Sequence, residues 1–344
     1  MLTYHATKPA QLPELLEILL AHLPQELRQL RIDLTISGVQ DSDFGIPECD
    51  ASDIGGPISE IPSAMPEFRN LKSDTLSVRC TRYLAFHYER AGQIVGGAFT
   101  MLRPDGTLLT LQPTVVSTEH KTTLRVVYET LLDLAVATRA RLVMLLVDCQ
   151  QSPDEDLLDN YGFEKISELL NLHAEQSVFP TRCPAVRLTF CPYQEERWQE
   201  MVAVVDQTYI NTLDFPRLTG LVATDAILQG YRESHVFDPS LWFFVESQSQ
   251  VIGALLLTQM ENTQHLELTY LGLKKEFRGR GLSHEMTQFA QFVAGERNDS
   301  HLLVSVDSAN TPALNTYLHN HFHLHDQKEI FVLFYGFENK SPAL

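Results

Sequence analysis

The strongest chemical signal in the chain is the run Arg278-Gly279-Arg280-Gly281-Leu282-Ser283. It follows an apolar extended stretch, residues 266–273, and it opens a helical pattern carried by Leu282, Met286, Phe289, Ala290 and Val293. A strand, a glycine turn and a helix N-terminus together make an anion site. Glycines let the backbone come close at positive φ, and the first-turn N–H groups of the helix have no partner within it. The two arginines add positive charge where a pyrophosphate would lie. A solvated basic turn or an RNA-binding RG element shares this short string, and the setting between strand and amphipathic helix argues for the anion site. The spacing fits neither the GxxxxGK[ST] loop nor the GxGxxG fingerprint. About thirty residues on, an apolar run (302–306) leads into Asp307-Ser308-Ala309-Asn310-Thr311-Pro312-Ala313 and a short helix bearing Tyr317.

These two stretches resemble motifs A and B of the GCN5-related N-acetyltransferase (GNAT) superfamily. Motif A, [R/Q]xxGx[G/A], reads here as Arg278, Gly279, Arg280, Gly281, Leu282 and Ser283, with Ser in place of the final Gly or Ala. The resemblance implies that this loop holds the pyrophosphate of acetyl-CoA as co-substrate. It further implies that backbone groups around Leu271, Gly272 and Leu273 pair with the pantetheine arm. In motif B the Asn, here Asn310, would contact the pantetheine together with Ala313, and Tyr317 would stand near the sulfur as general acid. The Gly-Phe that usually follows is His321-Phe322 here. The implied fold class is α/β (α+β), two tandem acyl-CoA N-acyltransferase folds, each a mixed, mostly antiparallel central sheet flanked by helices.

Direct transfer from a thioester to an amine requires deprotonation of the ammonium, polarisation of the carbonyl and an acid for the thiolate. Glu267, eleven positions before Arg278, stands where histone acetyltransferases of this superfamily place their catalytic Glu. A solvent-facing glutamate on a half-exposed strand is the competing reading, and core packing is the rival for Tyr317. Strict alternation predicts Glu267, Thr269 and Leu271 on one strand face and Leu268 and Tyr270 on the other.

Composition bounds the partners. The chain has 344 residues, 44% of them hydrophobic, so two packed domains are expected. A formal charge of -18 disfavours nucleic acid and anionic membrane surfaces and suits a cationic amine, whether small molecule or peptide. Five cysteines without a CxxC pair point to a reducing, cytoplasmic setting, and no leader or membrane span is expected. His319, His321, His323 and His325 alternate, but no cysteine or clustered carboxylate completes a known spacing, so no metal is expected. Oligomeric state has no signature. An acyl-CoA-binding or sensing protein without catalysis is the alternative function.

The best boundary lies near 174–187, with Pro180 and Pro184, giving residues 1–177 and 178–344 as domains. The second half reads as a strand (185–190), helices (195–209 and 224–231), a hairpin (241–246 and 251–259), then strand, motif A helix, strand, motif B helix and a last strand (330–335). The first half repeats that order: an extended run (2–6), a helix (12–23), strands (82–89, 94–102 and 108–115), a helix (123–138), a strand (142–147) and a short helix ending Tyr161-Gly162-Phe163. Where motif A should lie, residues 116–123 contain no glycine and include Glu119. A degenerate copy without ordinary cofactor binding is expected, in a tandem layout that resembles mycothiol synthases. The Gly- and Pro-bearing segment 38–69 fits neither repeat and reads as a loop or lid.

Overall fold

The computed structural model describes residues 3–6, 82–91, 93–103, 105–115, 120–149, 154–184, 187–233, 237–260 and 263–335. The expected helix at 12–23, the 38–69 loop and Glu119 lie outside them. The chain divides into two compact units, Met1–Lys165 with Ile330–Leu344, and Ile166–Glu329. Each has its own core.

In the first unit, β1 (Thr3–Ala6), β2 (Arg82–Arg90), β3 (Gln93–Leu102) and β4 (Thr107–Leu111) pair antiparallel in sequence order. The short β5 (Thr114–Val115) pairs back onto β3. Helix α1 (His120–Ala137) then crosses over to β6 (Leu142–Asp148), which runs parallel to β4. A parallel neighbour cannot be reached by a tight turn, so a crossover helix is required. Leu124, Val127, Tyr128, Leu131, Leu134 and Ala135 form one stripe of α1, at three- and four-residue spacing, and bury it on the sheet. Helix α2 (Glu155–Asn160) follows, its first turn capped by Asp154, whose carboxylate accepts from the Leu157 N–H at 3.2 Å.

The second unit repeats this arrangement. It holds β7 (Glu164–Glu175) from Ile166 on, β8 (Thr189–Pro192), helices α3 (Trp198–Tyr209) and α4 (Thr224–Glu233), and the strands β9 (Trp242–Ser247), β10 (Gln250–Gln259) and β11 (His265–Leu273). Helix α5 (Leu282–Glu296) crosses over to β12 (His301–Asp307), parallel to β11, and α6 (Thr311–His319) follows. The order of neighbours is β7, β12, β11, β10, β9, β8, every pair antiparallel except β11 with β12. Strand β13 (His323–Phe334) neighbours β7 in this unit, and from Ile330 its residues belong to the first. One sheet face carries Leu255, Leu257, Leu266, Leu268, Leu302 and Val304 against α5 and α6, and the other face of β9 and β10 packs Trp242, Phe244, Ala254 and Leu256 against α3 and α4. Both units are therefore mixed, mostly antiparallel sheets flanked by helices.

Three sequence readings change. Strand β7 was not anticipated, because Glu164-Lys165-Ile166-Ser167-Glu168-Leu169-Leu170 lacks a clean two-residue alternation. The alternation expected for β11 is broken by a bulge: Leu256 pairs Tyr270 while Leu257 pairs Leu268, leaving Thr269 extra. Beyond it Leu271 and Leu273 rejoin the face of Leu266 and Leu268, whereas Tyr270 packs on the α3 side, so Glu267 and Leu271 do not share a face. The four alternating histidines do not lie on one strand either. His319 ends α6, His321 turns the chain at φ 63°, and only His323 and His325 are in β13.

Candidate active site

Strands β11 and β12 pair through only three positions, His265 with His301, Leu266 with Leu302 and Glu267 with Leu303. After Glu267 they part, and β12 stays in register with β7 up to Asp307. Among the described residues, the β12-facing edge of β11 beyond Glu267 has no strand partner, which exposes backbone groups to a guest. The N-termini of α5 and α6 close the opening, forming a cavity of about 160 Å³ lined by Leu271, Leu273, Arg278, Gly279, Leu282, Ser283, Asn310, Pro312, Ala313, Thr316 and Tyr317. Chain segments forty residues apart in sequence are thus brought to one wall.

The loop into α5 has the geometry an anion requires. Gly279 and Gly281 sit at φ 73° and 72°, and a side chain at either would be strained. Gly281 caps the helix without any side-chain bond to its first-turn amides. Those amides, at the positive end of the fifteen-residue α5, have no acceptor within the helix. The two arginines of the motif divide their work. Arg278 turns inward, donating from Nε to Leu273 O (2.9 Å), from Nη1 to Asn211 O (2.9 Å) and from Nη2 to Thr208 O (2.6 Å). It ties the end of β11 to the end of α3, and Arg280 remains exposed above the Phe277 ring at 5.5 Å. Of the two, Arg280 is the one whose charge is exposed.

A second clamp was not visible in the sequence. Arg187 donates to Arg280 O and Gly281 O at 3.1 Å each and to Glu285 Oε2 at 3.0 Å. The buried Glu285 carboxylate also accepts the backbone N–H of Arg187 and Leu188, at 2.8 and 2.9 Å. With the loop carbonyls held on that side, its amides are free to face the opening. Residue Arg187 is ninety positions upstream, and nothing in its local sequence marks it.

On the α6 wall, Asn310 caps the helix through Ala313 N–H at 3.4 Å, and Ser283 Oγ stands 3.2 Å from Thr316 Oγ1. Tyr317 is buried, its ring 5.5 Å from Phe322, and it lines the cavity. Burial first, then the nearby Asp214 and Tyr270, push its hydroxyl pKa well up, so the proton stays on at neutral pH. Asp214 comes from the loop after α3, where Asn211 and Phe215 also hold positive φ. Burial raises its carboxyl above the usual carboxylate range, and the Asp307 carboxylate adds to the rise. Asp307 in turn accepts Phe215 N–H at 3.0 Å and Ala309 N–H at 2.9 Å. Tyr209 and Tyr270, rings 5.8 Å apart, lie near the Asp214 carboxyl. Gly272 leaves space there: a Cβ would come within 2.6 Å of the Tyr270 hydroxyl and 2.7 Å of Thr208 Oγ1.

Glu267 is half-buried opposite Thr258 and Leu303, and it is not among the residues lining the cavity. The cavity does bring together Leu271, Leu273, Arg278, Gly279, Leu282, Ser283, Asn310, Ala313 and Tyr317. Gly272, Arg280 and Gly281 lie between those residues in the chain.

At the corresponding place in the first unit, the N-termini of α1 and α2, a cavity is lined by Lys121, Thr122, Arg125, Asp154, Asp156, Leu157 and Asn160. Lys121 is paired with Asp154 at 3.0 Å, and Asp154 and Asp156 stand beside Lys121 and Arg125 in its lining.

The parallel strands part with the N-terminus of α5, which no side chain caps, and the Asn310-capped N-terminus of α6 at their mouth, and the fold is that of the GNAT acyltransferases. Residues 208–322 match the model of the acetyltransferase (GNAT) family, whose general activity is acyl transfer from acyl-CoA to amines. No curated protein sequence matches the chain. Among solved structures it is similar to a GCN5-related N-acetyltransferase from Sphaerobacter thermophilus, with 14% identity and TM-score 0.59, covering 97% of this chain and 95% of that one. It is also similar to a tandem GNAT protein from the clavulanic acid biosynthesis pathway (12%, TM-score 0.55, 97% and 98% covered). A third is the GCN5-related glucosamine N-acetyltransferase region of a fungal multi-domain GH3 beta-N-acetylglucosaminidase (11%, TM-score 0.63), where this chain covers 97% of itself and 38% of the other. At such identities the likeness shows the fold, here in its tandem form. No helix among the described residues is long and apolar enough to cross a membrane.

Proposed function

We propose that the chain moves an acetyl group from acetyl-CoA directly to a primary amine, with the chemistry in the domain 178–344 and the domain 1–177 a degenerate copy. The observation that carries this reading is the cavity at the parting of β11 and β12, where uncapped α5 amides, Gly279 and Gly281 at positive φ, and Tyr317 converge. The α5 amides and Arg280 would hold the pyrophosphate. The unpaired edge around Leu271, Gly272 and Leu273 would hold the pantetheine arm, with Asn310 and Ala313 opposite it. In the transfer the ammonium loses one proton, the nitrogen bonds the carbonyl carbon and the C–S bond breaks, and the second proton the nitrogen gives up restores the one that the thiolate takes. The leaving thiolate then takes a proton from Tyr317, which lines the cavity and is protonated at neutral pH. Glu267 would accept the ammonium proton through water, since its own side chain lies off the cavity wall. The acceptor is a small-molecule or peptide amine, and a cytoplasmic location accords with five cysteines that include no CxxC pair.

The placement of Glu267 away from the cavity favours one second reading, a non-catalytic acyl-CoA-binding or sensing protein. Two measurements separate them. Calorimetric titration with acetyl-CoA is expected to give one site per chain, lost in an Arg280→Glu, Gly281→Glu double variant. Two sites would restore cofactor binding to the first domain, and none would remove both readings. In an amine screen read by thiol release, Tyr317→Phe is expected to lower kcat by about 10²- to 10⁴-fold while acetyl-CoA binding holds. Binding without turnover on any amine would leave the sensing reading.

A further inference from the structure

On the sheet face of the second unit opposite α5 and α6, histidines from four strands gather. The register aligns His265 with His301 and His301 with Glu175, so these three form a row across β11, β12 and β7. Neighbouring strands stand about 4.8 Å apart, which sets the side chains of such a row within reach of one another. His173, two residues before Glu175, shares its face. The leucines between them, Leu266, Leu302 and Leu172 with Ala174, point into the core, which fixes the histidines outward. Ring centroids lie 5.6 Å apart for His173 and His301, 5.6 Å for His173 and His325, 6.4 Å for His173 and His323, and 4.9 Å for His265 and His301.

We infer that His173, Glu175 and His301, with His325 as a fourth ligand, form a binding site for a divalent transition-metal cation such as Zn²⁺ or Ni²⁺. One ligand atom from each of His173, Glu175 and His301 already lies within 4.8 Å of the others. A tetrahedral Zn²⁺ with bonds of about 2.1 Å needs ligand atoms about 3.4 Å apart, a closing that side-chain rotation on this accessible face can supply. The donor set is one neutral-imidazole and carboxylate ligand group of the kind that borderline cations prefer. His173 Nδ1 is buried and has no hydrogen-bond partner, a polar atom that a cation or a water must satisfy. His301 Nδ1 meets the Ser300 hydroxyl at 3.0 Å, which orients the ring and leaves Nε2 for the metal. Such a site would pin β7, β12 and β13 together, away from the acyl-CoA cavity. It also reverses the expectation from sequence that no metal is bound. The ligands come from positions 173 to 325 and meet only through strand pairing, so no linear spacing announces them.

The test uses the tag-free full chain, stripped with chelator and titrated with Zn²⁺ against a chromophoric competitor. One equivalent per chain is expected, with a visible absorption band when Co²⁺ replaces Zn²⁺ and a rise in melting temperature on adding Zn²⁺. A His173→Gln, His301→Gln double variant is expected to bind at least about tenfold more weakly, and Glu175→Gln to bind more weakly with an unchanged metal-free melt. Wild type that takes up no Zn²⁺, or a double variant that binds as tightly as wild type, overturns the inference. None of these readouts requires acetyl-CoA or turnover, so failure of this site and failure of the acetyltransferase reading are told apart.

Discussion

Arg278 and Arg280 belong to one motif yet do different things. The first spends its guanidinium on three backbone carbonyls, and the second stays exposed above the Phe277 ring, where the proposed function gives it the pyrophosphate. Single-residue changes should separate these uses. Asp214 offers another test, because its carboxyl is held above its unfolded pKa by burial and by Asp307. The sign follows from linkage. A raised folded pKa gives stability that is complete below the unfolded value of about 3.9 and is lost as pH rises through the folded value. Asp214→Asn cannot lose that proton, so relative to wild type it should gain melting temperature between pH 4 and neutrality. A melting series over that range that shows parallel curves for the two proteins would refute the assignment.

Among the elements, β11 does most to make the site. Its bulge at Thr269 re-aims Tyr270, and its parting from β12 after Glu267 opens the slot. Two glycines let β10 and β11 lie as they do: a Cβ at Gly253 would collide with the backbone carbonyl of Gly272, and one at Gly272 would meet the Tyr270 and Thr208 hydroxyls. Backbone cannot step aside as a side chain can, so Gly253→Ala should cost more stability than Gly272→Ala, whose overpacking is expected at about 1–3 kcal/mol by denaturant titration. The α5 turn depends on Glu285, which accepts two buried-side backbone N–H groups and the Arg187 guanidinium. Glu285→Ala should lose about 1–3 kcal/mol for the stranded donors and also weaken acetyl-CoA binding. Unaltered affinity would show that the clamp does not shape the loop.

For the whole molecule, the excess of 44 acidic over 26 basic residues sets a long-range field. Under the proposed function, that field would attract a cationic acceptor and repel the polyanionic acyl-CoA. Raising ionic strength from about 0.01 to 0.15 M shortens the screening length from about 30 to 8 Å. The apparent KM for an amine should therefore rise with salt while that for acetyl-CoA falls, and the opposite pattern would mean that local charges around Arg280 and Asp214 outweigh the net charge. The repeated order of antiparallel strands, crossover helix and parallel strand in both units is a property of this scale too.

Residues 278–283, the strand before them and the α6 turn at Asn310 were legible because their signals are local. Glycine φ, apolar periodicity and helix capping act within a few residues of chain. Most strands and helices were legible for the same reason, as was the doubling of their order. The face of Tyr270, the Arg187 clamp, the pairing of Asp214 with the buried Asp307, strand β7 and the histidine row were decided only by tertiary structure. Each depends on which strand lies beside which, and on one extra residue at Thr269 that shifts every side chain after it. Local physics made the pieces of the site, and strand register determined which residues meet in it.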